Sequence, residues 1–222
     1  HFRTHVKPGS KGQAGEWMSE YADVMIDHDK NVGTVLKALD EAGIADDTFV
    51  MYSTDNGPHM NTWPDGAMTP FRNEKNSNWE GAYRVPCLVR WPGQFEAGKV
   101  LNGIVTHQEW LATFVAIAGE PEVKEKLLEG YDAGEKHFKV HVDGYNILPY
   151  LKGETDESPR RFFFYTNDDG KIVAIRIGDW KMVFQEQRAK GLMVWIEPFV
   201  ELRIPKVFNL RRDPFERADE SS

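Results

Sequence analysis

Residues 48–86 read TFVMYSTDNGPHMNTWPDGAMTPFRNEKNSNWEGAYRVP. The opening run, Thr48 to Ser53, is β-branched, aromatic and apolar with little polar alternation, the pattern of a strand buried on both faces. It stops at Thr54-Asp55-Asn56-Gly57, where the glycine lets the chain turn. Taken alone, Asp-Asn-Gly is a turn. Its placement adds a second reading, because open α/β sheets bind ligands outside the carboxyl ends of their strands. Asp55 and Asn56 stand at such an end, and their hard oxygens suit Ca2+ or Mg2+ better than Zn2+ or copper.

Working outward from that turn, residues 58–78 form a long loop without strong periodicity, a length associated with function or disorder. It carries His59, Trp63, Phe71 and Lys75. By composition alone Lys75 is a solvated lysine, His59 a turn neighbour, and Trp63 and Phe71 packing residues or an apolar wall. Trp79 to Pro86, WEGAYRVP, reads as a structural clamp, in which Gly81 permits a close approach and Arg84 can pair with a buried acid such as Glu80. Cys87 falls inside the apolar run Val85 to Trp91, which predicts a buried small hydrophobe.

Before the strand, Glu16 to Ala42 reads as a long amphipathic helix, with Trp17, Tyr21, Met25, His28, Val32, Val35, Leu36 and Leu39 recurring at helical spacing and Gly43 as the stop. Asp27, His28 and Asp29 invite a metal reading, but adjacent helix positions point different ways, so a solvated face is expected. Helix then strand makes an αβ unit, consistent with a parallel sheet covered on both faces. The first fifteen residues are polar and glycine-rich, an extended or loop segment holding His1 and His5.

Downstream, Thr106 to Gly119 predicts a second helix, Pro121 to Lys139 a charged surface excursion, and Asp143 to Gly153 a compact closing segment. From Arg160 the texture changes to short β-like runs at 161–165, 171–177, 180–185 and 193–196, with Gly170 and Asp179 as turn signals, an antiparallel meander.

The 222 residues suffice for one sizeable domain, or one with a smaller companion. A formal charge of −8 argues against non-specific binding to nucleic acid or anionic membrane, while leaving room for a local basic pocket. No apolar run reaches the length of a membrane span. A single cysteine excludes an internal disulfide. The chain starts at His1 without a visible signal peptide, as the interior of a longer protein would.

The ordered set matters more than any member. A strand ending in (S/T)-D-N-G, then Lys75, then W-E-G-x-x-R-V-P, then an apolar strand and Trp91-Pro92-Gly93 resembles the type I sulfatases of the alkaline phosphatase superfamily, specifically their C-terminal portion. Thr106-His107 to Gly119, Asp143 to Gly153 and Val207 to Glu216 resemble further family segments, with Glu109 and Ala112 as mild departures.

The resemblance implies an α/β fold: part of an alkaline-phosphatase-like sheet covered by helices over residues 1–155, then a small antiparallel β-sheet subdomain over 156–222. It implies an arylsulfatase-like sulfuric ester hydrolase, acting on a sulfate monoester through a formylglycine nucleophile and a Ca2+ ion, with Mg2+ as the other hard cation. Asp55 and Asn56 would ligate the metal. Lys75 and His1 would contact sulfate, with His5 in reserve for His1 and His59 as a pocket residue. Cys87 lacks the C/S-x-P-x-R context of the formylglycine precursor, so the nucleophile is expected in an N-terminal half outside this chain. That half is the expected partner besides the substrate, and the isolated chain is expected to be inactive. A periplasmic or extracellular setting rests on the resemblance alone.

Two alternatives stay open at this point. One is a phosphodiesterase or phosphonate monoester hydrolase of the same superfamily. The other is a non-catalytic sulfatase-like binding or assembly domain.

Overall fold

The structure, a computed structural model, describes residues 11–16, 20–60 and 68–220. Within it the chain divides into two compact units, 92–163 and the remainder.

In the discontinuous unit, a short hairpin of β1 (Lys11–Gly12) and β2 (Gly15–Glu16) precedes α1 (Glu20–Glu41). The predicted span began at Glu16, which instead pairs in β2; the helix starts at Glu20 and stops where Gly43, at φ +69°, ends it. Asp23 is buried and accepts the Ala14 N–H at 2.7 Å, while Asp27 takes the Gln13 amide and His28 meets the Tyr52 hydroxyl at 3.0 Å. Asp27 and His28 thus serve surface contacts and Asp29 is exposed, in keeping with their scattered directions.

β3 (Val50–Ser53) pairs antiparallel with β4 (Cys87–Arg90), Val50 opposite Arg90 and Ser53 opposite Cys87. This differs from the parallel pairing expected of the αβ unit, because the strand's only partner among the described residues is the one that returns after the long loop. Burial differs too. Met51 and Leu88 are exposed, and so is Cys87, whose place in an apolar run had predicted burial. A two-stranded ribbon offers each side chain few neighbours, so apolar sequence does not translate into a buried strand.

The same unit contains a four-stranded antiparallel sheet of β7 (Phe162–Thr166), β8 (Ile172–Ile177), β9 (Trp180–Glu186) and β10 (Val200–Asn209), in the order β10-β9-β8-β7. Ala174, Val183 and Phe208 are buried on one of its faces and Val173 on the other. Three of the four predicted strands are present. Of the run 193–196, all but Ile196 instead lies in a 3-10 segment spanning Gly191–Trp195, and the fourth strand is β10. Gly191, at φ +59°, turns the chain there and donates its N–H to the Glu74 carboxylate at 2.7 Å, an anchor that overrides β-propensity.

The unit at 92–163 holds α3 (Glu109–Ile117), α4 (Val123–Glu129) and α5 (Leu148–Lys152), plus a hairpin of β5 (Tyr131–Ala133) with β6 (Lys136–Phe138). The predicted surface excursion therefore contains a helix and a hairpin, whose turn glycine, Gly134, has φ +62°. Just before α3, the Glu109 carboxylate accepts the Thr106 N–H at 2.5 Å and the Thr106 hydroxyl at 2.8 Å. The other oxygen of Glu109 takes the Arg160 guanidinium at 2.7 Å, with both side chains buried. Trp110, Ala116, Ile147 and Leu151 complete this core.

Candidate active site

The turn after β3 is built by close backbone approach. The Gly57 N–H donates to the Ala82 carbonyl at 2.7 Å, and a Cβ on Gly57 would stand 1.8 Å from the Gly81 oxygen. Gly81 is as tightly enclosed, with Asn73 oxygen 2.1 Å from where its Cβ would be. The two glycines let the D-N-G turn, the loop at 72–73 and the W-E-G segment lie backbone against backbone. Lys75 joins the same assembly, its N–H donating to the Pro58 carbonyl at 2.9 Å. The structure therefore brings Asn56, through its neighbours Gly57 and Pro58, beside the backbone of Lys75.

At the turn, the Asn56 amide nitrogen donates to the Gly57 carbonyl at 2.9 Å, which leaves its side-chain oxygen as an acceptor. Asp55 is exposed and its carboxylate has no protein partner among the described residues. A carboxylate and an amide carbonyl, both without a donor to satisfy them, fit a hard divalent cation. They are a partial set: among the described residues no group of three or more His, Cys, Asp or Glu is placed to hold a metal ion. Ca2+ takes six to eight oxygens, so further ligands must come from other parts of the protein or from solvent.

Lys75 is half-buried, and no carboxylate pairs with it among the described residues. Its ammonium lies 5.8 Å from the Trp195 ring centroid. His59 meets the same tryptophan, Nε2 accepting the indole N–H at 2.9 Å with the rings edge-on. Sequence reasoning named His59 and Lys75 but missed Trp195, which it had placed in a strand. Phe71 stacks near Phe215 and under the Arg84 guanidinium, so it packs rather than lining an apolar wall. His1, His5 and Trp63 lie outside the described residues.

Behind this face is a buried ionic cluster. W-E-G begins a short helix, α2 (Glu80–Tyr83), and Glu80 is 1% exposed. Arg84 pairs with it at 2.8 Å, as the clamp reading anticipates, but the larger partner is Lys181 of β9, which is fully buried and reaches Glu80 at 3.2 Å and Glu216 at 2.7 Å. The Tyr165 hydroxyl donates to Glu80 at 2.7 Å, and the Glu80 N–H donates to Glu216 at 2.7 Å. Burial alone would push the Glu80 carboxyl up. The Lys181 ammonium, with hydrogen bonds from Tyr165 and Arg84, reverses this and holds it at about 2. Burial raises Glu216, against the pull of Lys181. Burial, reinforced by the Glu80 charge, also raises the Tyr165 hydroxyl well above its ordinary value.

Trp79 is part of the same support. Its indole N–H donates to the Gln187 carbonyl, and Arg72 lies 3.6 Å above its ring. The amide of Asn78 accepts the Gln187 N–H and donates to the Gln185 carbonyl, at the C-terminal end of β9. These contacts bind the loop that carries Lys75 to the four-stranded sheet.

A family model described as Sulfatase matches residues 2–120. Mouse (Mus musculus) steryl-sulfatase is 30% identical over 171 residues, covering 74% of this chain and 25% of the relative. Human (Homo sapiens) N-acetylgalactosamine-6-sulfatase is 28% identical over 218 residues, covering 89% of this chain and 38% of the relative. The crystal structure of the PsFucS1 sulfatase from Pseudoalteromonas sp. superposes with a TM-score of 0.78 at 26% identity, over 92% of this chain and 39% of that one. The chain thus spans well under half the length of each.

Proposed function

This chain belongs to the sulfatase family, and from that premise we propose that the protein carrying it hydrolyses a sulfate monoester, with Asp55, Asn56 and Lys75 as this chain's share of the active site. The observation that supports the assignment is the packing of the D-N-G turn against the Lys75 loop through Gly57, Pro58 and Gly81. It brings the backbones of the two segments together, and their side chains offer two oxygen ligands and an ammonium without a carboxylate partner among the described residues, suited to a metal ion and a tetrahedral oxyanion.

Asp55 and Asn56 would hold Ca2+, or Mg2+ in its place, and the bound cation supplies stabilisation to negative charge on the sulfate oxygens. The Lys75 ammonium donates to a sulfate oxygen as a compact cation. His1, with His5 as its alternative, is assigned to the sulfate by family resemblance, and His59 to the pocket. A formylglycine nucleophile, the remaining metal ligands and the rest of the sheet belong to an N-terminal half, without which this chain is expected to be inactive. Residues 1–155 then complete the larger catalytic domain, and 156–222 form the smaller sheet domain. A secreted or periplasmic setting is part of the same reading. Among the described residues no helix is long and apolar enough to cross a membrane.

The test compares the full-length protein with its Lys75→Ala variant on 4-nitrophenyl sulfate and 4-nitrophenyl phosphate. The expected result is preference for sulfate, with kcat/KM down about 100-fold in the variant, the scale of losing one oxyanion donor. Preference for phosphate, or an unchanged variant, contradicts the assignment.

A further inference from the structure

The segment after β9 presents apolar side chains that the fold does not need. Trp195 is 50% exposed and Ile196 66% exposed, yet the backbone beneath them is held firmly. Glu74, itself 2% exposed, accepts the Met60 N–H at 2.8 Å with one oxygen and the Gly191 N–H at 2.7 Å with the other. Asn76 donates to the Val194 carbonyl at 3.2 Å, and Asn73 to the Ala189 carbonyl at 3.0 Å. One buried carboxylate and two amides thus fix the tryptophan's turn to the loops that carry His59 and Lys75. A side chain that only filled space would not be fixed at its base and open at its face.

The orientation of the ring is also set. The indole N–H is used by His59 Nε2, so that nitrogen is an acceptor and the imidazole proton sits on Nδ1. Nδ1 has no partner among the described residues. The site thus combines an anchored aromatic face, a ring N–H donor and, 5.8 Å from the indole centroid, the Lys75 ammonium. A sugar ring matches this combination, with C–H groups on one face and hydroxyls around the rim. A planar aryl group would be better served by a slot closed on both faces.

We propose that Trp195 is a specificity-determining residue whose indole face stacks on a sugar ring in the leaving group of the sulfate ester, with His59 Nδ1–H donating to one of that sugar's hydroxyls. This rests on the sulfatase reading and adds the class of leaving group.

The test uses the full-length protein as wild type, Trp195→Ala and Trp195→Phe, on a panel of hexose and hexosamine 6-sulfates and on 4-nitrophenyl sulfate. The expected result is a KM for the sugar sulfate raised about fivefold to tenfold in W195A, with kcat held within about twofold. W195F, which keeps a stacking ring without the indole N–H, recovers most of that loss, and in W195A kcat/KM falls further for the sugar sulfate than for the aryl sulfate. An unchanged sugar KM in W195A, an equal fall on both substrates in both variants, or a wild type that cleaves only the aryl sulfate overturns the proposal while leaving sulfate hydrolysis standing. Release of sulfate from neither substrate by the wild type overturns both.

Discussion

The Lys181 ammonium lies 2.7 Å from Glu216 and 3.2 Å from Glu80, with all three side chains buried. One cation from the sheet therefore neutralises a carboxylate of the W-E-G segment and another of the closing segment. Replacing it by methionine preserves most of the volume and leaves two buried carboxylates without their shared ammonium. Lys181→Met is expected to destabilise the protein by about 3–5 kcal/mol, the range for breaking a buried ion pair from one side. Urea unfolding of the purified full-length protein measures it, and a loss below 1 kcal/mol, roughly a surface pair's worth, contradicts the account.

The same cluster makes stability depend on acidity. Glu80 is held at about 2 against an ordinary value of 4.5, so its contribution is fully present above pH 4.5 and is lost as pH falls toward 2. Glu216 is raised, so its contribution has the opposite sign: present below pH 4.5 and lost as pH rises through its folded value. Because the two oppose each other, the Glu80 component is best isolated by substitution. In Glu80→Gln the fall in unfolding free energy between pH 4.5 and 2 is expected to be shallower than in the wild type, and stability at pH 7 lower. Denaturant titrations across that range check this, and parallel curves contradict it.

Gly57 has no room for a side chain, since its Cβ would meet the Gly81 oxygen at 1.8 Å. Gly57→Ala is expected to cost about 1–3 kcal/mol, as overpacking does, and to weaken catalysis by moving the Asp55-Asn56 turn away from Lys75. Thermal unfolding and sulfate release on one preparation measure both effects. A variant with wild-type melting and turnover would show that the close approach is dispensable.

What the sequence made legible was local. The end of β3, the turn chemistry of Asp55-Asn56-Gly57, the stop of α1 at Gly43 and the Arg84–Glu80 pair depend on near neighbours. The support of the site is not local: Lys181 is 101 residues from Glu80, and Glu216 is 136. No periodicity links such positions, so Lys181 read as an ordinary strand residue. Trp195 was hidden for a related reason. Its β-prone run is folded into a turn by Glu74, a distant residue whose role no local pattern announces. Cys87 shows the converse error, an apolar run that forms a strand in a ribbon too narrow to bury it. The pairing of Glu109 with Arg160, 51 residues away, was hidden in the same way.

The central claim is that Asp55 and Asn56 are metal ligands, and it is tested most directly by counting bound calcium. The full-length wild-type protein and Asp55→Ala are stripped with chelator, titrated with Ca2+ and measured by elemental analysis, with Asp40→Ala at the exposed end of α1 as control. The account predicts about one ion held by the wild type and by the control, and affinity at least about tenfold weaker in Asp55→Ala. Calcium binding by Asp55→Ala equal to that of the wild type would contradict it.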